Sequence, residues 1–366
     1  MRLLKLVFAL CGIMYVSSAE ACRYTIREIG FSTLSKVTYV LYRIDENQTD
    51  FPKQQEQAFL ESNIKTSTIG FDAETNPVVA FAKARKLALP AYVLVDKNGR
   101  MLALSETKGR NNLREHVLNS PVQSQLLKNL PVNYASVILI EGLNKEANEK
   151  ARQTILEACG RITNIMPNMP KQVAVGPDMI TIQASQFKQE EVVLWSLGVT
   201  TIPEQPLAFV VYGKGRIMGE KVDYNAIGNG TIYKLLSIIG ADCECGLDRK
   251  WMLGYQIPLD WPKETRQALS DRLGFDVDNP MVLTEMSRIL AIENRAPVDP
   301  DGVSYEPVVV DLDDEFDDIP EIIHAEQFKV PEENEKGNTN AVIWYSLVFF
   351  FIIVGIGAYF VLNRKR

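Results

Sequence analysis

Two stretches of this chain repeat each other at one fixed spacing, and that repetition restricts the fold more than any other feature. Pro90-Ala-Tyr-Val-Leu-Val-Asp-Lys-Asn-Gly-Arg100 stands beside Pro206-Leu-Ala-Phe-Val-Val-Tyr-Gly-Lys-Gly-Arg216. Pro90 and Pro206, Gly99 and Gly215, and Arg100 and Arg216 are each 116 residues apart. A constant offset through a proline, an apolar strand, a turn glycine and a basic residue marks a duplicated unit. Asn98-Gly99, set between the apolar runs 92–95 and 101–104, is a strong hairpin signal.

The elements before each hairpin follow the same order. In the first unit, residues 37–44 read as a strand and 52–61 as a helix with Asp50 as its cap. A strand at 64–71 and a helix at 77–87 follow, and a closing helix at 111–118 continues after Pro121. In the second unit, 136–140 is a strand. Residues 145–159 form a helix with Ala147, Ala151, Ile155 and Cys159 on one face. Residues 172–175 read as a strand and 190–197 as a helix. Strands alternating with helices predict an α/β architecture.

That order, together with the words LALPAYVLVDKNGRMLAL at residues 87–104, resembles the thioredoxin fold over about residues 24–240. The resemblance implies cis bonds at Pro90 and Pro206, with Pro203 a rival in the second unit because its loop is longer. It also implies a groove beside these prolines that receives extended polypeptide through backbone hydrogen bonds. The family's redox site is a Cys-x-x-Cys after the first core strand, where a helix N-terminus stabilises a thiolate. Here that place holds Asp45-Glu46-Asn47-Gln48 in one unit and Glu141-Gly142-Leu143-Asn144 in the other, so neither unit has the usual redox chemistry.

Targeting segments flank these units. Arg2 and Lys5, an apolar run at 6–16 and small residues at Ser17, Ser18 and Ala19 read as a signal peptide cleaved after Ala19 or Ala21. Residues 341–362 are uncharged and apolar, long enough at 1.5 Å per residue to cross a hydrocarbon core of about 30 Å. Arg364, Lys365 and Arg366 follow, and the positive-inside rule places them in the cytoplasm. The expected chain is type I, its bulk outside the cytoplasm. A bacterial inner membrane facing the periplasm is the first reading of compartment. An endoplasmic reticulum membrane is the alternative, with Asn47 and Asn229 then standing in glycosylation sequons.

The expected organisation is a signal peptide at 1–21, thioredoxin-like units at 22–130 and 131–242, and a Cys-x-Cys segment with a helical pair at 243–295. An acidic, proline-rich spacer at 296–340, the transmembrane helix at 341–362 and a basic tail at 363–366 complete it. In the helical pair, Asp260 caps the first helix, and Asp278 or Asn279 caps the second. The spacer includes the acidic run 311–321. Phe316, Ile319, Ile322 and Ile323 among its acids give a second reading as a docking motif for a basic partner.

Four cysteines survive signal cleavage: Cys22, Cys159, Cys243 and Cys245. Cys22, Cys243 and Cys245 are the disulfide candidates, with a bridge from Cys22 favoured over catalysis. Glu244, Asp242 and Asp248 would raise the thiol pKa of a redox pair at Cys243 and Cys245. Cys159 is expected to be a buried free thiol. The two histidines, His116 and His324, lack neighbours at metal-ligand spacing, so no metal, cofactor or histidine triad is expected. A net charge of −7 argues against nucleic acid. The favoured function is protein binding or assembly beside the membrane, the partner being a membrane complex or an exported client. Thiol–disulfide exchange at Cys243 and Cys245 is the alternative. Lumenal calcium storage ranks last, because the acid cluster is confined to the spacer.

Overall fold

The computed structural model describes residues 23–34, 39–46, 50–73, 75–104, 113–169, 171–241 and 255–291. Two four-stranded mixed sheets organise them. The first comprises β1 (Tyr39–Asp45), β2 (Ile64–Gly70), β3 (Ala91–Asp96) and β4 (Met101–Leu104), in the order β2-β1-β3-β4. The second comprises β5 (Ser136–Ile140), β6 (Asp178–Ile182), β7 (Leu207–Tyr212) and β8 (Arg216–Val222), in the order β6-β5-β7-β8. Each sheet has one parallel pair, β1 with β2 and β5 with β6, and two antiparallel pairs. Both units therefore carry thioredoxin-like topology. β3 and β7 coincide at the offset read from sequence, Ala91 with Leu207 and Asp96 with Tyr212.

Side-chain alternation explains why both faces of each sheet are covered. Along β5, Val137 and Leu139 enter one core with Ala151, Ile155 and Leu235. Ile138 and Ile140 enter another, with Val122, Leu126 and Val193. A strand buried on both faces reads as a continuous apolar run, as this one does. The helix Lys145–Ile165 packs through Ala147, Ala151, Ile155, Cys159 and Ile162, which include the four positions expected from its periodicity. In the first unit, Tyr39, Leu41 and Leu94 face helix Leu113–Leu118, and Ile44 and Val93 face helix Pro77–Ala84.

Three local expectations need correction, and a fourth, left between two residues, is resolved. The helix after β1 is only Lys53–Gln57, and no side chain caps it; the Asp50 carbonyl instead accepts from Arg43 Nη1 at 3.2 Å. Residues 172–175 are not a strand. β6 starts at Asp178, whose carboxylate accepts from Ser136 Oγ at 2.6 Å and Asn129 Nδ2 at 2.7 Å and so fixes its register. Asp260 does not cap helix Lys263–Leu273, because its carboxylate is taken by Arg114. Of the two caps expected for helix Pro280–Ala291, the structure selects Asn279, which accepts from the Met281 N–H at 2.9 Å.

Two segments outside the sheets pack against them, and the second joins the two units. Residues 24–31 pack into the second unit, where Tyr24, Ile26, Ile29 and Phe31 are at most 1% exposed. Their short helix starts with a capping box of Thr25 and Glu28. The second segment is a strap from Tyr255 to Trp261. On one side Ile257 N–H donates to the Gly215 carbonyl at 2.9 Å, and Ile217 N–H to that of Tyr255 at 2.7 Å. On the other side Asn63 donates from Nδ2 to the Ile257 carbonyl at 3.0 Å and accepts at Oδ1 from Leu259 N–H at 3.0 Å. One extended segment thus satisfies backbone groups belonging to both units.

Candidate functional site

The groove implied by the resemblance lies where the first core strand ends beside the proline that opens the hairpin. In the first unit Ile44 pairs with Ala91, so Asp45 lies next to Pro90. Pro90 is exposed, and the Leu89–Pro90 bond is cis. Asp45, the first of the four residues where the resemblance places the redox motif, is a carboxylate paired with Arg43 at 2.5 Å, and its carbonyl accepts from Phe71 N–H at 3.0 Å. Tyr92, on β3, packs edge-on against Phe51 and donates to Gln55 at 3.3 Å, tying the short helix to the sheet. The polar end of this groove is held by ion pairing and carries no sulfur at Asp45 or Glu46.

The equivalent end of the second unit is closed by its own chain. Ile140 pairs with Leu207, which sets Glu141 beside Pro206, but Pro206 is buried and neither it nor Pro203 follows a cis bond. The longer loop before β7 folds over the strand end. Leu143 N–H donates to the Pro203 carbonyl at 3.0 Å, and Asn144 N–H to that of Glu204 at 3.2 Å. Asn148 clamps Gly142 through both its N–H and its carbonyl, at 2.8 and 2.9 Å. A Cβ on Gly142 would come within 2.7 Å of the Glu204 and Gln205 backbone, so glycine permits this contact. The expectation of a cis bond and open groove at Pro206 is corrected accordingly.

No family model and no curated protein matches the chain. Among solved structures it is similar to the bb fragment of ERp72, at 13% identity over 56% of this chain and 91% of that one, with a TM-score of 0.18. It is also similar to the first two thioredoxin domains of Saccharomyces cerevisiae Eps1p, at 9% identity over 59% and 99%, with a TM-score of 0.21. Human ERp44 in a zinc-bound form gives 10% identity over 60% of each chain and a TM-score of 0.19.

The remaining site expectations divide by location. Cys159 is a buried free thiol, and burial pushes it up to about 12, far from a reactive thiolate. Cys22, Cys243 and Cys245 lie outside the described residues, as do the signal peptide, the acidic spacer and residues 341–362. Among the described residues no helix is long and apolar enough to cross a membrane, and no group of metal-binding side chains occurs.

Sequence reasoning missed the charged groups that join the units. Arg100 and Arg216, recognised only as repeat markers, both reach for backbone carbonyls. Arg100 donates to the Trp195 and Ser196 carbonyls at 3.2 and 3.1 Å, at the C-terminal end of helix Glu191–Ser196, where a cation is favoured. Asp96 and Tyr255 complete its setting, at 2.6 Å each from the guanidinium. Arg216 donates to Gly30 and Ser32.

In the sequence Glu190 marks only the start of a helix. Its side chain is buried, with Oε1 accepting from Val122 N–H at 3.0 Å and Oε2 without a partner. Burial raises its pKa above the ordinary 4.5, against smaller lowering by Ser120 and Val122. A carboxyl raised on folding gives stability that is full below its unfolded pKa and lost as pH rises through the folded value. Glu190→Gln keeps the acceptor and removes the charge. It is therefore expected to melt higher than the parent at pH 7.5, the difference closing by about pH 4. Parallel melting curves across that range check this, and a pH-independent difference would refute it.

Proposed function

We propose that this chain is a membrane-tethered, extracytoplasmic protein-binding module, with the Pro90 end of its first unit holding extended polypeptide. The observation that carries this reading is the asymmetry between the two strand ends. Pro90 is exposed beside a carboxylate, whereas Pro206 is buried beneath its own loop. Asp45 in place of a nucleophile suits binding without turnover. The signal peptide, the apolar run at 341–362 and the basic tail support tethering with the bulk outside the cytoplasm. A membrane complex or an exported client is then the partner.

The test uses a reduced, carboxymethylated polypeptide as an extended ligand, with binding followed by fluorescence anisotropy. Leu89→Asp places a charge beside Pro90 and is expected to weaken binding about tenfold, or about 1.4 kcal/mol. Gln205→Asp, at the matching place before Pro206, should leave it unchanged. Equal loss in both variants, or none in either, would remove the Pro90 groove from the proposal.

A further inference from the structure

A cavity of about 180 Å³ lies where the N-terminal segment, the loop before β2, the turn between β7 and β8, the strap and the last two helices meet. That is smaller than the roughly 300–1,000 Å³ of pockets for drug-sized ligands, so a compact occupant is required. Its lining is rich in hydrogen-bond donors. Lys214 is only 5% exposed, and its ammonium donates to Asp278 Oδ1 at 3.0 Å. Arg266 donates to Glu61 at 3.1 Å and lies 3.6 Å from Asp278, but its Nε–H is buried without a partner. Ser32 Oγ and Trp261 Nε1 are likewise buried and unpartnered, in residues that are 0% and 5% exposed.

The carboxylates here are already engaged. Asp278 Oδ1 accepts from Thr33 as well as Lys214, and Glu61 Oε1 accepts from Lys263 N–H as well as Arg266. Counting valences leaves a surplus of donors: two protons of the Lys214 ammonium, the Arg266 Nε–H, the Ser32 hydroxyl and the indole N–H. Buried donors without partners are costly, so a ligand that supplies acceptors is favoured. Lys214 and Arg266 are balanced by Asp278 and Glu61, so it is their free donor protons, not a net charge, that favour an oxygen-rich occupant.

We propose that this cavity binds a small oxyanion, a phosphate-type or carboxylate group, held chiefly by Lys214 and Arg266. Such an anion braces the N-terminal segment, the first unit and the strap against one another. This reading is independent of the Pro90 groove.

The test titrates the full chain in detergent with inorganic phosphate and, separately, with malonate, at constant ionic strength against chloride. Saturable heat is expected with at least one of them. Melting temperature should rise by about 5–10 °C once the anion exceeds its Kd a hundredfold. Whichever anion saturates at the lower concentration identifies the source of the oxyanion. Arg266→Gln, at a partly exposed position that tolerates change, should weaken binding at least tenfold, and Lys214→Met should abolish it. Absence of saturable heat with both anions would mean that the cavity holds water alone and would overturn the proposal. Undiminished binding in Arg266→Gln would place the anion elsewhere and overturn it equally.

Discussion

Arg216→Met is expected to lower the melting temperature by about 5–12 °C. Arg216 is 1% exposed, and its guanidinium donates to the Gly30 carbonyl at 3.1 Å and the Ser32 carbonyl at 3.1 Å. Those acceptors belong to the backbone and cannot be substituted away with the arginine. Gly30 retains the Lys214 N–H at 2.9 Å, but the Ser32 carbonyl loses the arginine donor that serves it. Hydrogen bonds from a charged donor are each worth about 1.5–3 kcal/mol, and a buried orphan carbonyl costs about 1–3. Relief of the desolvation that burial imposes on the guanidinium offsets part of this, leaving about 2–4 kcal/mol. For a fold of this size each kcal/mol is about 2–4 °C. Arg100→Lys is the comparison, because Arg100 stands at the matching position with a side chain 37% exposed, and lysine keeps a cation beside the Asp96 carboxylate, which is 0% exposed. Water can replace its contacts to the Trp195 and Ser196 carbonyls, so its melting temperature should fall by less than half as much. Equal losses in the two variants would show that burial is not what separates the two arginines.

Gly213→Ala is expected to cost about 3–5 kcal/mol and to loosen residues 24–34 from the second unit. Gly213 has φ of +55°, where a side chain adds about 1–3 kcal/mol of strain. The larger effect is steric. A Cβ at this position would stand 2.2 Å from the carbonyl carbon and oxygen of Gly30, which are backbone atoms and cannot swing aside. Gly30 is equally confined on its other side, where a Cβ would meet the Tyr212 ring at 2.5 Å. Moving the segment away would expose Ile26, Ile29 and Phe31, each worth about 1.5–3 kcal/mol when fully buried. Faster amide hydrogen exchange through residues 24–34 and earlier tryptic cleavage at Arg27 would report the release. Gly99→Ala isolates the strain, since Gly99 has φ of +75° but no atom within 4 Å of its added Cβ. It should lose only about 1 kcal/mol. If both alanines cost the same, close approach to Gly30 is not what requires glycine at 213.

The repeat was legible because its signals are local. A proline, an apolar strand and a turn glycine of positive φ each act within a few residues, and Gly99 and Gly215, at +75° and +78°, adopt the backbone that such a turn needs. The face of helix Lys145–Ile165 was legible for the same reason, its period being a property of the helix alone. Segment 24–34 was missed, although Thr25 and Glu28 spell a capping box. The strap also left a trace, in the apolar residues Ile257, Leu259 and Trp261 at every second position.

What sequence by itself determined is therefore the architecture: two α/β units of one topology, their hairpins in register at a fixed offset, and no cysteine where the family keeps its redox pair. Tertiary structure alone decided which proline end stays open, because the loop before β7 closes over β5 through backbone groups that every residue carries. It also decided what Arg100, Arg216 and Lys214 do. Apart from Asp96, four residues before Arg100, the partners named above are main-chain carbonyls, the Tyr255 hydroxyl and the Asp278 carboxylate, all at least 64 residues away, and a carbonyl leaves no mark in the sequence of the residue that bears it.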